Sequence, residues 1–424
     1  MAQTAHSDAS ASTAWLTIFL CFLVATFEGI DLQAAGVVVP KLIPLFHLAE
    51  FKWPLSFFGI PIVLNGTTIF LTASTIGLII GAIIGGRLAD SIGRKKVLML
   101  SMTVFGIFSV ATAFGYDFAT VTIARFLTGL GLGGALPNLI ALASENASDA
   151  RRKLAVALMY CGMPFGGGLA SFVVAFGLGG QDWKDVFYAG GFAPLIAVPL
   201  LWMFLPESRQ FKSEVASLGT TAEMGRPNFL RVLFGDGRAA LSLAIWVSFF
   251  FALLVLYLLL NWLPALQDMR GLSKRDGALV QAAFNFGGVA GAIFAGTLID
   301  GRLAKPIVVL AYICVAAGLV FLALSPPTLS YALAAGTLVG VGIIGLQGIL
   351  YAMAPAFYPT LIRGTGVGAA IAAGRLGSVT GPIAAGVLIA SGLLPTDLLL
   401  RLLPAVGISF VAGIYLVFKL PRRV

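Results

Sequence analysis

Long hydrophobic stretches without charged residues run along almost the whole chain and are separated by short polar segments. Most stretches are long enough to cross a membrane as an α-helix, which takes about 20 residues. The longest, from Pro306 to Ile362, contains the turn signal Ser325-Pro326-Pro327 and therefore predicts two helices. With a first helix at about residues 14–38, the pattern predicts twelve transmembrane helices. A membrane β-barrel is excluded, because its strands would alternate apolar and polar residues in segments of about ten.

The composition supports a membrane protein and excludes a soluble enzyme. Of the 424 residues, 59% are hydrophobic and 11% are charged, whereas about 25% of a typical soluble protein is charged. The cysteines Cys21, Cys161 and Cys314 lie in apolar stretches without a CxxC pattern, and the histidines His6 and His47 lie outside the predicted helices. No Gly-rich nucleotide loop follows a strand either, so a membrane-embedded enzyme is disfavoured, and we expect no metal and no organic cofactor.

The positive charges predict the orientation of the chain in the membrane. The formal net charge is +9, but the 27 Lys and Arg residues fall between hydrophobic stretches and not in one patch, which argues against nucleic-acid binding. About two thirds of them lie on the side of the N-terminus, as the bias of Lys and Arg toward cytoplasmic loops requires if both termini are cytoplasmic. The first apolar stretch lacks a signal-peptide cleavage pattern, so we expect a multi-pass protein of a bacterial inner membrane.

A long polar connector at residues 207–238 divides the predicted helices into two groups of six. We therefore expect an N-terminal half at 1–206 and a C-terminal half at 239–424, with the connector in the cytoplasm. An internal repeat supports this division, because the sequence from Gly86 to Asp90 has a counterpart from Gly296 to Asp300. Two parallel six-helix halves, with a substrate site between them near mid-membrane, are typical of one large class of transporters.

The first half carries an insertion at about residues 50–70. Its apolar core from Trp53 to Leu64 contains two prolines and is too short to span a membrane as a helix. A thirteenth helix here would also move the later basic loops to the outside. We expect an extracytoplasmic segment that lies on the membrane or over the entrance, and the alternative is an insertion without a role.

The loop after the second helix contains Gly86, Asp90, Gly93 and Arg94 in the pattern Gly-x-x-x-Asp-x-x-Gly-Arg. Here the sequence resembles the major facilitator superfamily, although one basic position of the family motif is a serine. The resemblance implies an all-α membrane fold of twelve helices in two pseudo-symmetric six-helix halves. An Asp beside Arg and Lys can form a charge cluster that holds the halves in one state and opens in another, so we predict a gating role here and at Asp300. The alternative is a topology anchor.

The first predicted helix contains two carboxylates, Glu28 and Asp31, which lie three residues apart and therefore on one helix face. Burial and a neighbouring like charge both make ionisation harder, which suits groups that bind and release protons near neutral pH. The sequence here is similar to that of the aromatic acid/proton symporter family, which carries Asp-Gly-x-Asp at this place, with Glu28 in the position of the first Asp. The resemblance implies a proton-coupling site. The alternative is pairing with arginine for folding alone.

Two arginines, Arg125 and Arg375, lie inside predicted helices, where a charge costs about 3 kcal/mol or more and implies a partner or an aqueous cavity. Arg125 precedes spaced glycines that resemble the fourth helix of the superfamily, and Arg375 lies in a Gly-Arg-Leu-Gly sequence similar to the eleventh helix of the symporter family. A guanidinium group offers a planar, two-pronged match to a carboxylate, so both are predicted to bind the substrate. The alternatives are interhelical hydrogen bonding for Arg125 and a gate or helix-end anchor for Arg375.

Polar and aromatic residues inside the predicted helices complete the candidate substrate site. They are Asn138, Tyr257, Asn261, Gln281, Asn285, Gln347 and Tyr351. Each is able to line a pocket for an aromatic acid, but for any single one of them helix packing or interhelical hydrogen bonding is the more common role.

These features predict a secondary transporter that imports a small aromatic carboxylate together with protons by alternating access, with a monomer as the expected functional unit. The resemblance implies a hydroxylated aromatic acid such as 3-hydroxyphenylpropionate. An inside-negative potential opposes the entry of an anion by about 2.3 kcal/mol per 100 mV, so uptake needs accompanying cations.

Two alternatives stay open. A proton-driven exporter of small organic molecules is disfavoured, because Gly162-Met163-Pro164 is a poor match to the fifth-helix motif of drug antiporters. A non-transporting sensor of aromatic acids is harder to distinguish from a transporter by sequence.

Overall fold

The computed structural model describes residues 2–57, 60–147, 152–177, 182–207, 233–235, 237–298, 304–358 and 363–419. Within this part of the chain, twelve helical segments are long and apolar enough to cross a membrane. The predicted number of transmembrane helices is therefore confirmed. Most of the predicted connector at 207–238 lies outside the described residues.

The helices before the connector begin with a first helix that is longer than the predicted 14–38. They are α1 (Ala2–Leu45), α2 (Gly66–Ile92), α3 (Arg94–Ala113), α4 (Phe118–Asn146), α5 (Arg152–Tyr160), α6 (Gly162–Phe176) and α7 (Lys184–Phe204). α5 and α6 are separated only at Cys161 and together supply one span, Leu154–Phe176. α4 starts at a capping box, in which Thr120 N donates to the Asp117 carboxylate at 2.7 Å and Asp117 N donates to the Thr120 hydroxyl oxygen at 3.2 Å.

The helices after the connector follow the predicted spans closely. They are α8 (Ala239–Met269), α9 (Lys274–Leu298), α10 (Ala304–Leu324), α11 (Leu329–Met353), α12 (Arg363–Ala390), α13 (Pro395–Arg401) and α14 (Leu403–Lys419), with a short 3₁₀ helix at Ala354–Phe357. The predicted break at Ser325-Pro326-Pro327 is confirmed, since α10 ends just before it and α11 begins just after it. α13 and α14 together supply the last span, Pro395–Lys419.

The insertion folds as an antiparallel β-hairpin, which the sequence analysis did not assign. Strands β1 (Lys52–Phe57) and β2 (Ile60–Asn65) pair along their full length, with Lys52 opposite Asn65. Each strand of this pair is an edge strand, so the two prolines are tolerated where they would break an inner strand. Strands of six residues are also too short to cross a membrane. The Asn65 side chain then caps α2 by accepting a hydrogen bond from Thr68 N at 2.9 Å.

The chain divides into two compact units. The first comprises Met1–Ala34, Ala73–Ala170 and Gly179–Glu223, and the second comprises Ala35–Thr72, Ser171–Leu178 and Met224–Val424. The boundary passes through α1, so Glu28 and Asp31 belong to the first unit although their helix continues into the second. The predicted halves at 1–206 and 239–424 stay a prediction.

Both the core and the outward-facing surfaces of the helices are apolar. Large hydrophobic side chains with more than half of their surface exposed include Ile196, Met203, Phe294, Val411 and Phe418. Such surfaces are unusual on a soluble monomer. They are expected where helices face hydrocarbon, so the exposed faces agree with a multi-pass membrane protein.

Glycines let the helices of each unit approach closely where the candidate residues lie. In the first unit, Gly29 of α1 packs so tightly against the Met163 main chain that a Cβ atom would overlap the Met163 carbonyl oxygen. In the second unit, Gly377 of α12 packs in the same way against the Phe250 carbonyl oxygen of α8. Small residues permit such backbone contacts between membrane helices. These contacts fix the adjacent helix turns, which carry the candidate carboxylates of α1 and the candidate arginine of α12.

Candidate functional site

Asp31 of α1 and Arg125 of α4 form a buried ion pair in the first unit. Arg125 Nη1 donates to Asp31 Oδ2 at 2.9 Å, and Nη2 donates to the main-chain oxygen of Asp31 at 2.9 Å. Both side chains are fully buried. The sequence predicts that Asp31 binds protons and that Arg125 binds the substrate, and the structure brings the two side chains together. Removing one partner of such a pair would leave an uncompensated buried charge.

Ser109 of α3 and Phe187 of α7 complete the surroundings of this ion pair, and sequence reasoning missed both. The Ser109 hydroxyl donates to Asp31 Oδ1 and lies 3.1 Å from the Phe187 carbonyl oxygen. The Arg125 Cζ atom lies 5.3 Å from the centre of the Phe187 ring, within the range of a cation–π contact. Four helices therefore meet at one carboxylate. Serine and phenylalanine are common in apolar helices, so no spacing in the sequence singles these two out.

Glu28 lies one helical turn before Asp31 and is also fully buried. The predicted arrangement of two carboxylates on one face of α1 is thus present inside the first unit. A second negative charge buried so close to the first is unfavourable unless it is compensated or protonated. Arg125 forms its ion pair with the second of the two, Asp31.

In the second unit, Arg375 of α12 lies against Tyr257 of α8. Arg375 Nη1 donates to the Tyr257 hydroxyl oxygen at 2.8 Å, and the exposed fractions of the two residues are 7% and 4%. This hydrogen bond orients the guanidinium group of Arg375 toward α8. Because the tyrosine oxygen accepts from Arg375, the phenolic hydrogen is left to be donated to another acceptor. Two donors from two helices converge here, a geometry suited to a carboxylate.

The remaining predicted substrate residues differ in how their polar groups are satisfied. Three asparagines donate to the carbonyl oxygen four residues earlier in their own helices, at 2.7 Å for Asn138, 2.8 Å for Asn261 and 2.9 Å for Asn285, whose acceptor is the Gln281 carbonyl. The carbonyl that Asn261 contacts belongs to Tyr257, so these two candidates are directly linked. The other candidates, Gln347 and Tyr351, lie one turn apart on α11.

The predicted gating segment makes ion pairs and hydrogen bonds within the first unit. Gly93 joins α2 to α3 with a φ of 100°, a left-handed conformation that favours glycine. Arg94 forms an ion pair with Glu145 at the end of α4, and Lys95 N donates to the Glu207 carboxylate at 3.0 Å. Neither glutamate is among the residues predicted from the sequence. A signal for Glu145 was available, because it is the single acidic residue in the long apolar helix α4.

The other predicted gating residues are described less fully. Gly86 lies in α2, and among the described residues no atom comes within 4 Å of where its Cβ would be. The main chain of Asp90 lies in the last turns of α2, but its side chain is outside the described part of the structure, as is all of Asp300. The gating role stays a prediction.

The described residues contain no cluster suited to a metal ion. No three His, Cys, Asp or Glu side chains among them are placed to hold one. Cys21 and Cys161 are buried and Cys314 is half-buried, and all three are free thiols. Their positions in apolar helices fit hydrophobic packing.

The chain is similar along its length to known membrane transporters. The model of the Major Facilitator Superfamily matches residues 14–382. The 3-(3-hydroxy-phenyl)propionate transporter of Escherichia coli (strain K12) is 40% identical, over 99% of this chain and 98% of that protein. The gallate transporter of Pseudomonas putida is 34% identical, over 92% of this chain and 89% of that protein.

Solved structures share the fold. The xylose transporter XylE from E. coli, in a partially occluded inward-open conformation, matches with a TM-score of 0.74 over 97% of this chain and 98% of that one, at 16% sequence identity. At this identity the likeness concerns the fold alone. The relatives named by both comparisons are transporters and not enzymes, and the resemblance found in the sequence motifs is confirmed. The chain belongs to the Major Facilitator Superfamily.

Proposed function

We propose that this protein imports aromatic carboxylates together with protons, and that 3-hydroxyphenylpropionate or a related hydroxylated aromatic acid is its substrate. The named relatives support the aromatic acid, since they transport 3-(3-hydroxy-phenyl)propionate and gallate and match nearly the whole chain. The charge distribution favours a bacterial inner-membrane protein with both termini in the cytoplasm, and a single transport path in each chain would let a monomer function.

The observation that carries the proposal is the pairing of Arg375 with Tyr257. The buried guanidinium group and the phenol beside it offer an incoming anion hydrogen-bond donors from two helices. The substrate carboxylate accepts hydrogen bonds from the guanidinium group and from the phenolic hydrogen of Tyr257 at the same time. Charge-assisted hydrogen bonds of this kind are about twice as strong as neutral ones.

Protons bind at Glu28 and Asp31 in the proposed mechanism. While Asp31 is ionised, it holds Arg125 in the buried ion pair. When Asp31 binds a proton, its attraction for Arg125 falls, and the arginine becomes available for the substrate carboxylate. Glu28 supplies a second protonatable group one turn away. Proton binding and substrate binding thereby favour each other, as symport requires.

The electrical work of uptake explains why coupling is needed. An anion that enters alone moves against about 2.3 kcal/mol per 100 mV. One accompanying proton makes the step electroneutral, and two protons let the potential drive it. The loop with Gly86, Asp90, Gly93 and Arg94, with Asp300, is proposed to gate the change between the inward and outward states.

The test is uptake of radiolabelled 3-hydroxyphenylpropionate into proteoliposomes under an imposed inward proton gradient. We expect gradient-dependent accumulation by the unaltered protein, and Glu28→Gln should abolish uphill uptake while exchange of labelled for unlabelled substrate persists. Asp182→Asn is the matched control, because this exposed carboxylate lies outside the helices and should leave uptake unchanged.

Each other outcome contradicts a stated part of the proposal. Full accumulation by Glu28→Gln would remove Glu28 from proton coupling. Binding without any uptake by the unaltered protein would favour a sensor of aromatic acids. Substrate movement out of the vesicle interior in exchange for entering protons would favour an exporter.

A further inference from the structure

Gln347 of α11 differs from the three buried asparagines among the candidate residues. Asn138, Asn261 and Asn285 each donate to a carbonyl oxygen of their own helix. Gln347 is fully buried, yet within the described residues neither its Oε1 nor its Nε2 has a hydrogen-bond partner. A buried amide in this condition is unfavourable, and native proteins satisfy nearly all such groups. A bound group that completes both amide atoms is therefore expected here.

The position of Gln347 relates it to the proposed carboxylate site. Tyr351, one turn later on α11, packs edge-on against Phe249 of α8, with 5.3 Å between the ring centres. Side chains four residues apart share a helix face, so Gln347 lies toward α8 about 6 Å further along α11. Phe249 also packs against Gly374, the residue before Arg375. α11 and α12 thus bring Gln347 and Arg375 to the same stretch of α8, inside the second unit.

The hydrogen-bonding atoms of the Gln347 amide indicate which part of an aromatic acid this side chain can bind. A phenolic hydroxyl has a hydrogen that suits the Gln347 Oε1 and an oxygen that suits the Nε2. A carboxylate has no hydrogen to donate, so it would leave Oε1 unsatisfied, and an unsubstituted ring edge satisfies neither atom. We propose that Gln347 binds a hydroxyl group on the aromatic ring and thereby favours hydroxylated over unsubstituted aromatic acids. The inference rests on the proposed function, in which Arg375 and Tyr257 hold the carboxylate at the other end of the substrate.

The test compares two acids that differ by one hydroxyl group, 3-(3-hydroxyphenyl)propionate and 3-phenylpropionate. Their dissociation constants are measured by equilibrium binding to detergent-solubilised protein, so that the result does not depend on proton coupling. We expect the unaltered protein to bind the hydroxylated acid at least tenfold more tightly. A site built to hydrogen-bond a hydroxyl discriminates strongly against an analogue that lacks it. Gln347→Leu should weaken the hydroxylated acid about tenfold and leave the other unchanged, which brings the ratio near one.

Two further variants make the result decisive. If Gln347→Leu fails to fold, as judged by its thermal midpoint, Gln347→Met is used in its place, because methionine is flexible and has a volume similar to that of glutamine. Asn146→Leu is the matched control, because Asn146 is a buried amide in the first unit that already donates to the Leu142 carbonyl at 2.9 Å. This control should keep the ratio of the unaltered protein.

The outcomes separate this inference from the proposed function. If the unaltered protein binds neither acid, the proposed function fails and the inference fails with it. If it binds both acids equally, or if the folded Gln347 variants keep the original ratio, the proposed function stands and the inference is overturned. An ordered water molecule would then be the group that satisfies Gln347.

Discussion

The two buried arginines are held by different kinds of partner. Arg125 donates to the carboxylate of Asp31, so its charge is compensated within the protein. Arg375 donates to the phenol oxygen of Tyr257, which orients the guanidinium group. A carboxylate ties its arginine into the protein until the carboxylate is protonated, whereas a phenol beside an arginine adds a second hydrogen-bond donor for an incoming anion. In the proposed mechanism, protonation acts at the first place and the second place holds the substrate carboxylate.

The largest expected effect tests the compensated charge. Asp31→Asn leaves the Arg125 charge buried without its counter-ion, so we expect the free energy of unfolding to fall by about 3–5 kcal/mol. Tyr257→Phe, the matched change beside Arg375, removes one hydrogen bond to a charged group and should lower it by less, about 1.5–3 kcal/mol. Chemical unfolding in detergent micelles measures both values.

A double variant distinguishes the loss of the ion pair itself from the cost of leaving one of its charges buried alone. Asp31→Asn combined with Arg125→Gln removes both charges and should recover at least half of the stability lost in the single variant. It should not recover uphill uptake, because the proton-binding carboxylate is still absent. Equal losses of stability in Asp31→Asn and Tyr257→Phe would contradict the distinction between the two arginines.

The next effect tests the place of the substrate carboxylate. Arg375→Lys keeps a positive charge but loses the planar fork, so we expect the dissociation constant for 3-hydroxyphenylpropionate to rise about tenfold or more. A tenfold change corresponds to about 1.4 kcal/mol of binding free energy. Arg401→Lys, an exposed arginine in the same unit, is the control and should bind as the unaltered protein does. Unchanged binding in Arg375→Lys would remove Arg375 from the substrate site.

The sequence predicted the number of transmembrane helices well, because the membrane imposes a length on every span. Uncharged stretches are easily recognised, and the proline pair after Leu324 marks the break between α10 and α11. The hairpin was not assigned, since its prolines indicate a turn or loop when strand pairing is unknown. Prolines are compatible with an isolated two-stranded pair, but nothing local in the sequence reports that pairing.

The candidate site could be predicted in its charges but not in its partnerships. Glu28, Asp31, Arg125 and Arg375 stand out because charges within spans are rare. Asp31 and Arg125 are 94 residues apart in the sequence. Whether they pair depends on how α1 and α4 are rotated and packed against each other, and no local sequence pattern indicates this. The same applies to Ser109, whose role is visible only once α3 lies beside α1.

The smallest expected effect tests what holds Arg125 in place, the N-terminal cap of α4 or the ion pair with Asp31. Hydrogen bonds from Thr120 hold the pKa of Asp117, the cap of α4, below its usual value. The cap therefore adds stability above about pH 4, and this contribution is lost as the pH falls through the lowered pKa. We expect Asp117→Ala to lower the thermal midpoint slightly near neutral pH, and the difference from the unaltered protein to shrink as the pH falls below about 4. Arg125 lies two turns inside α4 and is tied to Asp31, so binding of the aromatic acid should not change. A loss of stability as large as that of Asp31→Asn would instead mean that the helix start, and not the ion pair, holds Arg125 in place.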